Sequence, residues 1–271
     1  MVKKNGLRWD AGVSDEEDEF DIDGVDDYDN SDDDSDEEVE APKIQKKNKS
    51  IVQKIAPNVD ETCDILHGLS KMKFPCNIII AGQTDSGKTN LVKYLVYTHA
   101  LQFNRIILLS PTADLQNENF LQKEFIITEV TPEKVERIIS EQQKNKKWKT
   151  LLIFDDCIGS MSFKNSSVFD KLASSGRHYN TSTIHIVQDL NKLSPCIRNN
   201  SKYLFVTLCK EHQLKTCFEL STGFNSFTEF KEYMKRNCKN YQIVRFNLTG
   251  DADCPHLTFK SVISPKFKIV V

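Results

Sequence analysis

The chain has 271 residues and a formal net charge of −3, enough length for one α/β domain with a tail or for two small domains. No apolar run reaches the roughly 18 to 20 residues that span a bilayer, and the start "MVKKNGLRWDAGV" lacks the apolar core of a secretory signal, so membrane insertion is not expected and the cytosol or nucleus is. Eight cysteines without a CxxC pair argue against a zinc site and a disulfide framework, and read as reduced, mostly buried thiols.

The small net charge conceals a division. Residues 10 to 40 hold 18 of the 39 acids and no Lys or Arg, whereas residues 41 to 271 carry 33 bases against 21 acids. With so few apolar groups, residues 1–41 are expected to form a disordered acidic tail. Such a tail solvates the chain, mimics a nucleic-acid backbone that shields the basic remainder, or recruits a partner. Residues 42–72 read as a basic linker and lead-in, with Lys43, Lys46, Lys47, Lys49 and Lys54 suited to nuclear import, phosphate contact or plain solvation.

From about Lys73 to residue 271, short β-rich runs alternate with longer amphipathic segments, as in βαβ units on a mostly parallel sheet. The first strand, Asn77 to Ala81, leads into GxxxxGKT (Gly82, Gln83, Thr84, Asp85, Ser86, Gly87, Lys88, Thr89) and a helix from Lys88 to about Ala100. Glycines let successive amides turn inward, and the helix N-terminus adds partial positive charge, so the natural occupant is a nucleoside di- or triphosphate. Lys88 is suited to the β and γ phosphates and the Thr89 hydroxyl to Mg2+. GxGxxG is absent, which disfavours dinucleotides.

A second strand is expected at Arg105 to Ser110 and a helix at Pro132 to Lys144, followed by the strand Lys149 to Phe154 and the pair Asp155 and Asp156. Asp155 is suited to hold Mg2+ through its water shell. Asp156 is suited to orient or deprotonate an attacking water. These acids reach the cradle if their strand lies beside that of Asn77. A second acid, together with "RIILLS" between cradle and acids, fits an additional-strand ATPase better than a small GTPase or nucleotide kinase; the guanine-specific NKxD is absent. Further along, a helix is expected at Val168 to Ser175 and strands at Thr183 to Val187 and Tyr203 to Cys209. Gln188 then falls at the sheet edge where ligands of open α/β sheets bind, as a γ-phosphate or water sensor or as a simple strand cap. Helices at Glu211 to Leu220 and in "SFTEFKEYMKRN", then a strand pair in "YQIVRFNL" and "HLTFKSVI", complete the chain. The fold class is therefore α/β: a P-loop NTPase of additional-strand type, with a mostly parallel central sheet flanked by helices.

The segments "IIIAGQTDSGKTNL", "LLIFDDC", "SSGRHYNTSTIHIVQ" and "LSPCIRNNSKYLFV", in this order and spacing, resemble the poxvirus-type genome-packaging ATPases of the FtsK/HerA superfamily, which has relatives in large DNA viruses and in Maverick or Polinton elements. The resemblance covers about residues 73 to 260 and implies ATP and Mg2+ as cofactors, with Gly82, Gly87, Lys88 and Thr89 on the nucleotide and metal, Asp155 on Mg2+, Asp156 activating water and Gln188 as sensor. It further implies a homo-oligomeric ring in which Arg177 or Arg198 completes the neighbouring site. The implied function is an ATP-driven, sequence-independent translocase of double-stranded DNA that packages a viral genome into a preformed capsid, with a capsid or portal component as partner, in an infected cell. A replication helicase and a non-motor nucleotide switch or scaffold are the alternatives. The cradle departs from the family at Asp85, where many relatives carry a small or neutral residue.

Overall fold

The computed structural model describes residues 51–54, 69, 72–113, 120–157, 167–249, 256–260 and 267–270, all in one compact unit. The acidic tail, most of the basic linker, and Cys63 and Cys254 lie outside them. The strands are β1 (Ile51–Lys54), β2 (Asn77–Ala81), β3 (Arg105–Leu109), β4 (Ile126–Ile127), β5 (Thr150–Asp155), β6 (Thr181–Val187), β7 (Ser201–Val206), β8 (Gln242–Asn247), β9 (His256–Lys260) and β10 (Phe267–Val270). The helices are α1 (Lys88–His99), α2 (Pro132–Lys144), α3 (Ser167–Ser175), α4 (Pro195–Asn199), α5 (Glu211–Leu220) and α6 (Phe227–Asn237).

Eight strands form one sheet in the order β4-β3-β5-β6-β2-β7-β8-β9, parallel from β4 through β7 and antiparallel at β7-β8 and β8-β9. A separate antiparallel pair joins β1 to β10. The order bears out an additional strand between cradle and acids and corrects which strand it is. The acid strand β5 does not border the cradle strand β2, because β6 lies between them. The additional strand is thus the one ending before Gln188 rather than "RIILLS", which forms β3 on the far side of β5.

Because side chains alternate across a strand, β2 feeds two cores. Ile78 and Ile80 pack with Leu91, Tyr94 and Leu95 of α1, whereas Ile79 and Ala81 join the cluster built with Val135 and Ile138 of α2, Leu172 of α3, Cys217 of α5 and Phe230 of α6. This two-sided burial is why the parallel strands read as continuous apolar runs rather than alternating ones. Each large aliphatic side chain removed from water there contributes about 1.5–3 kcal/mol. The register keeps β5, β6, β2 and β7 in step, so all four end on one edge of the sheet.

Helix starts differ in a way that matters for the site. Thr131, Ser194 and Ser226 cap α2, α4 and α6 by accepting hydrogen bonds from the N–H groups of Lys134, Ile197 and Glu229. By contrast, α1 starts after Gly87 with no side-chain cap and no acid in its first turn. The positive end of the α1 dipole therefore faces the loop without a side-chain acceptor from its N-cap.

Candidate nucleotide site

The cradle is held by the ends of its two neighbouring strands. The Gly82 N–H donates to the Val187 carbonyl (3.2 Å), the Gln83 N–H to the Leu208 carbonyl (2.8 Å), and the Thr207 N–H to the Ala81 carbonyl (2.9 Å). Below the loop, the buried Ser86 hydroxyl donates to the Gln83 carbonyl (2.6 Å) and lies 2.7 Å from the Thr207 hydroxyl. Gly82 is required by close approach: a Cβ there would sit 1.7 Å from Thr207 Oγ1 and 2.9 Å from Ser86 Oγ. Gly87 is required by its backbone, since its φ of 91° lies in the left-handed region.

A cleft of about 240 Å³ opens above this loop, lined by Thr84, Asp85, Lys88, Thr89, Thr112, Asp155, Asp156, Ile186, Val187 and Gln188. The structure brings Lys88, Thr89, Asp155, Asp156 and Gln188 to one cleft even though β6 intervenes, because β5, β6 and β2 all finish at the same edge. Lys88 Nζ donates to the Gln83 carbonyl at 2.5 Å, folding the side chain back over the loop. Burial holds the Lys88 amine below the ordinary lysine range, opposed by the charge of Asp155 first and then by Cys209, Asp156 and Asp85. An ammonium in this position is short of compensating solvent and gains from added negative charge.

Asp156 and Asp85 both adopt left-handed backbone, with φ of 53° and 56°, a conformation that Asp tolerates better than most residues. The acid turn is pinned by Cys157, whose buried thiol donates to the Leu109 carbonyl (2.9 Å) of β3 and whose pKa burial drives well up. This thiol is structural rather than reactive. Asp85 is exposed, yet it lines the cleft and its charge is felt at Lys88. Gln188 is exposed at the end of β6, and its carbonyl accepts from the Gln213 side chain of α5. Gln213 in turn accepts from the Lys210 N–H (3.3 Å), so one buried amide joins the Gln188 backbone to the start of α5.

Sequence reasoning missed Thr112, Thr207 and Gln213. The first two were within reach of the rule that singled out Gln188, because each is a polar residue just past the end of an apolar parallel strand. Gln213 carries no such signal, since its role depends on where α5 packs. Arg177 and Arg198 do not join the cleft of their own chain. Arg198, at the end of α4 just before β7, donates to the Leu190 carbonyl (3.3 Å) in the turn that follows Gln188. Arg177 is exposed in the 3-10 turn Gly176–Tyr179 that precedes β6, at the opposite edge of the sheet.

The residues present fit Mg2+ bound together with a nucleotide. A hydroxyl (Thr89) and carboxylates (Asp155, Asp156) are the oxygen donors that this hard cation takes, usually few in number, with water and phosphate supplying the remainder. Among the described residues no group of three or more His, Cys, Asp or Glu side chains could hold a metal ion by itself.

Comparisons with known proteins agree with this geometry. Against the solved structures, the chain superposes on the genome packaging NTPase B204 from Sulfolobus turreted icosahedral virus 2 in complex with ATP-gammaS, with a TM-score of 0.53 at 14% identity, covering 70% of this chain and 100% of that one. It superposes on the pCW3 conjugation coupling protein TcpA in its monomer form with a TM-score of 0.52 at 15% identity, covering 82% of this chain and 68% of that one. These likenesses establish the P-loop fold. Among curated proteins, uncharacterized protein 075L of Invertebrate iridescent virus 6 is 25% identical over 174 residues, 60% of this chain and 67% of that protein. The family model described as Poxvirus A32 protein matches residues 67–219, more than half of the sequence and every residue assigned to the cleft, and the chain belongs to that family.

Proposed function

We propose that this chain is an ATPase that drives double-stranded DNA into a preformed viral capsid. The observation that carries the proposal is the convergence of Lys88, Thr89, Asp155, Asp156 and Gln188 on one cleft above an uncapped helix, in a member of the poxvirus A32 family. ATP hydrolysis needs a cradle for the phosphates, a metal site and a group that acts on water. Residues suited to each line the cleft. The amides of Thr84 to Lys88 and the Lys88 ammonium bind the phosphates. Thr89 and Asp155 hold Mg2+, which supplies neutralising charge when bound, while Asp156 takes a proton from the attacking water and Gln188 orients that water. The remaining charge on the transferring group calls for an arginine. Arg198 is favoured over Arg177 for a neighbouring protomer's cleft, because its side chain contacts the turn that follows Gln188, whereas Arg177 lies in the turn before β6. This assignment carries with it a homo-oligomeric ring, a capsid or portal partner and a site of action at the assembling particle in an infected cell.

The test is ATP hydrolysis with and without linear double-stranded DNA, for the wild type and Lys88→Ala. Stimulation by duplex DNA is expected, together with a loss in the variant on the order of 10²–10³-fold. Hydrolysis indifferent to DNA would overturn the motor and leave a nucleotide switch; stimulation by single strands with strand separation would make it a helicase. Separate Arg198→Ala and Arg177→Ala variants, compared at matched oligomeric state, assign the arginine.

A further inference from the structure

We propose that the sheet edge opposite the nucleotide cleft is the surface that grips the duplex backbone, a refinement that rests on the DNA-motor reading above. The turn between α2 and β5 carries Lys144, Lys146, Lys147 and Lys149, and the turn before β6 carries Arg177 and His178, all six exposed. Although the two turns are some thirty residues apart in sequence, they form one surface. The Gln142 side chain, 1% exposed, donates to the carbonyls of both Trp148 (2.8 Å) and Tyr179 (2.7 Å), and accepts from the Thr150 hydroxyl (2.6 Å). Asn180, held at φ 55°, donates through its side chain to the Lys146 carbonyl (2.7 Å), while its carbonyl accepts from the Thr150 N–H (3.0 Å). A buried amide is costly unless satisfied, and here satisfaction requires both turns in place.

Charge on this surface is uncompensated among the described residues. Glu141, the nearest acid in sequence, is engaged by Arg105 (2.9 Å) and Arg137 (3.7 Å), and none of the six basic residues has a carboxylate partner. A cluster of lysine charges on fastened turns suits contact with phosphates irrespective of sequence. Lysine in particular supplies charge without demanding bidentate geometry. Trp148, half-buried between the lysines, adds the aromatic component common in nucleic-acid surfaces. The placement also relates the surface to the chemistry. Strand β5 begins beside Lys149 and ends at Asp155; β6 begins beside Asn180 and ends beside Gln188, about 20 Å away at roughly 3.3 Å per residue.

The experiment uses the full chain and a short fluorescent linear duplex, with anisotropy read over a salt series. The variant is Lys146→Gln/Lys147→Gln/Lys149→Gln; the control, with the same charge change, is Lys235→Gln/Arg236→Gln/Lys239→Gln at the end of α6. For the first, affinity should fall about tenfold or more and the slope of log affinity against log salt by roughly three, close to one per lost phosphate contact. DNA stimulation of hydrolysis should go with it, while hydrolysis without DNA stays at the wild-type rate. Wild-type binding with no change in the variant, or an equal loss in the control, would overturn the assignment and leave the motor reading intact. Unchanged duplex binding with lost binding of a polyglutamate peptide would overturn it in favour of an acidic protein partner. Failure of the wild type to bind or respond to duplex DNA would bring down the motor reading itself, and this proposal with it.

Discussion

The two edges of one sheet offer opposite solutions to holding polyphosphate. At the C-terminal edge three carboxylates, Asp85, Asp155 and Asp156, line a cleft with a single lysine, on backbone held at positive φ in Asp85, Gly87 and Asp156. At the N-terminal edge lysines project from turns fastened by Gln142 and Asn180. An acidic cleft repels a nucleotide unless a divalent cation comes with it, whereas a basic surface attracts phosphate with no help. One edge is therefore conditional on metal and the other only on ionic strength. On the motor reading proposed above, such a division would allow a chain to retain its polymer while its fuel is exchanged.

The sharpest way to break this comparison is chelation. Removing divalent cations with EDTA should abolish hydrolysis and weaken ATP binding by on the order of tenfold or more, with duplex binding at fixed ionic strength little changed; Asp155→Asn should behave like partial chelation. Equilibrium nucleotide binding and anisotropy in parallel measure both. Equal sensitivity of the two edges to EDTA would contradict the division.

Acid should act on both edges at once. His185, in the middle of β6, is buried, stacked on Phe154 with ring centroids 5.0 Å apart, and desolvation holds its pKa at about 4 rather than 6.5. The unfolded chain takes up this proton first. Stability from neutral His185 is thus present above about pH 6.5 and is lost as pH falls through 4, by about 3 kcal/mol in all. Urea denaturation across that range should show the loss, and His185→Leu should flatten it. A leucine variant with the wild-type acid slope would put the titration elsewhere.

The smallest effect concerns Asp85. Replacing it by Asn should tighten Mg-ATP by a few-fold, on the order of 1 kcal/mol or less for a partly solvated charge, and should leave duplex affinity as it was. Weaker nucleotide binding in Asp85→Asn would mean that the carboxylate assists the metal rather than opposing the phosphates.

Much of the nucleotide edge was legible in the sequence because parallel strands buried on both faces must be apolar throughout and polar where they stop. That contrast marked Ala81 into Gly82, Phe154 into Asp155, and Val187 into Gln188. Strand order was not legible, since periodicity says nothing about neighbours; hence β6, not β3, proved to be the intervening strand. The short pair β1-β10 escaped notice because Ile51–Lys54 sits among lysines and pairs with a strand some two hundred residues away. The basic edge escaped for a related reason. Nothing in the sequence ties the four lysines around Trp148 to the segment around Arg177; the link is made by Gln142 in the folded chain.

Gly82 and Thr207 occupy what is in effect a single side chain's worth of space, shared between the cradle and the end of β7. Their substitutions should be epistatic. Gly82→Ala alone forces a clash against the Thr207 side chain and the Ser86 hydroxyl, so the route to a bulkier cradle runs through a smaller residue at 207 first, at the expense of the hydroxyl that supports Ser86. In a lineage or a library, the order in which these two positions change matters more than either change.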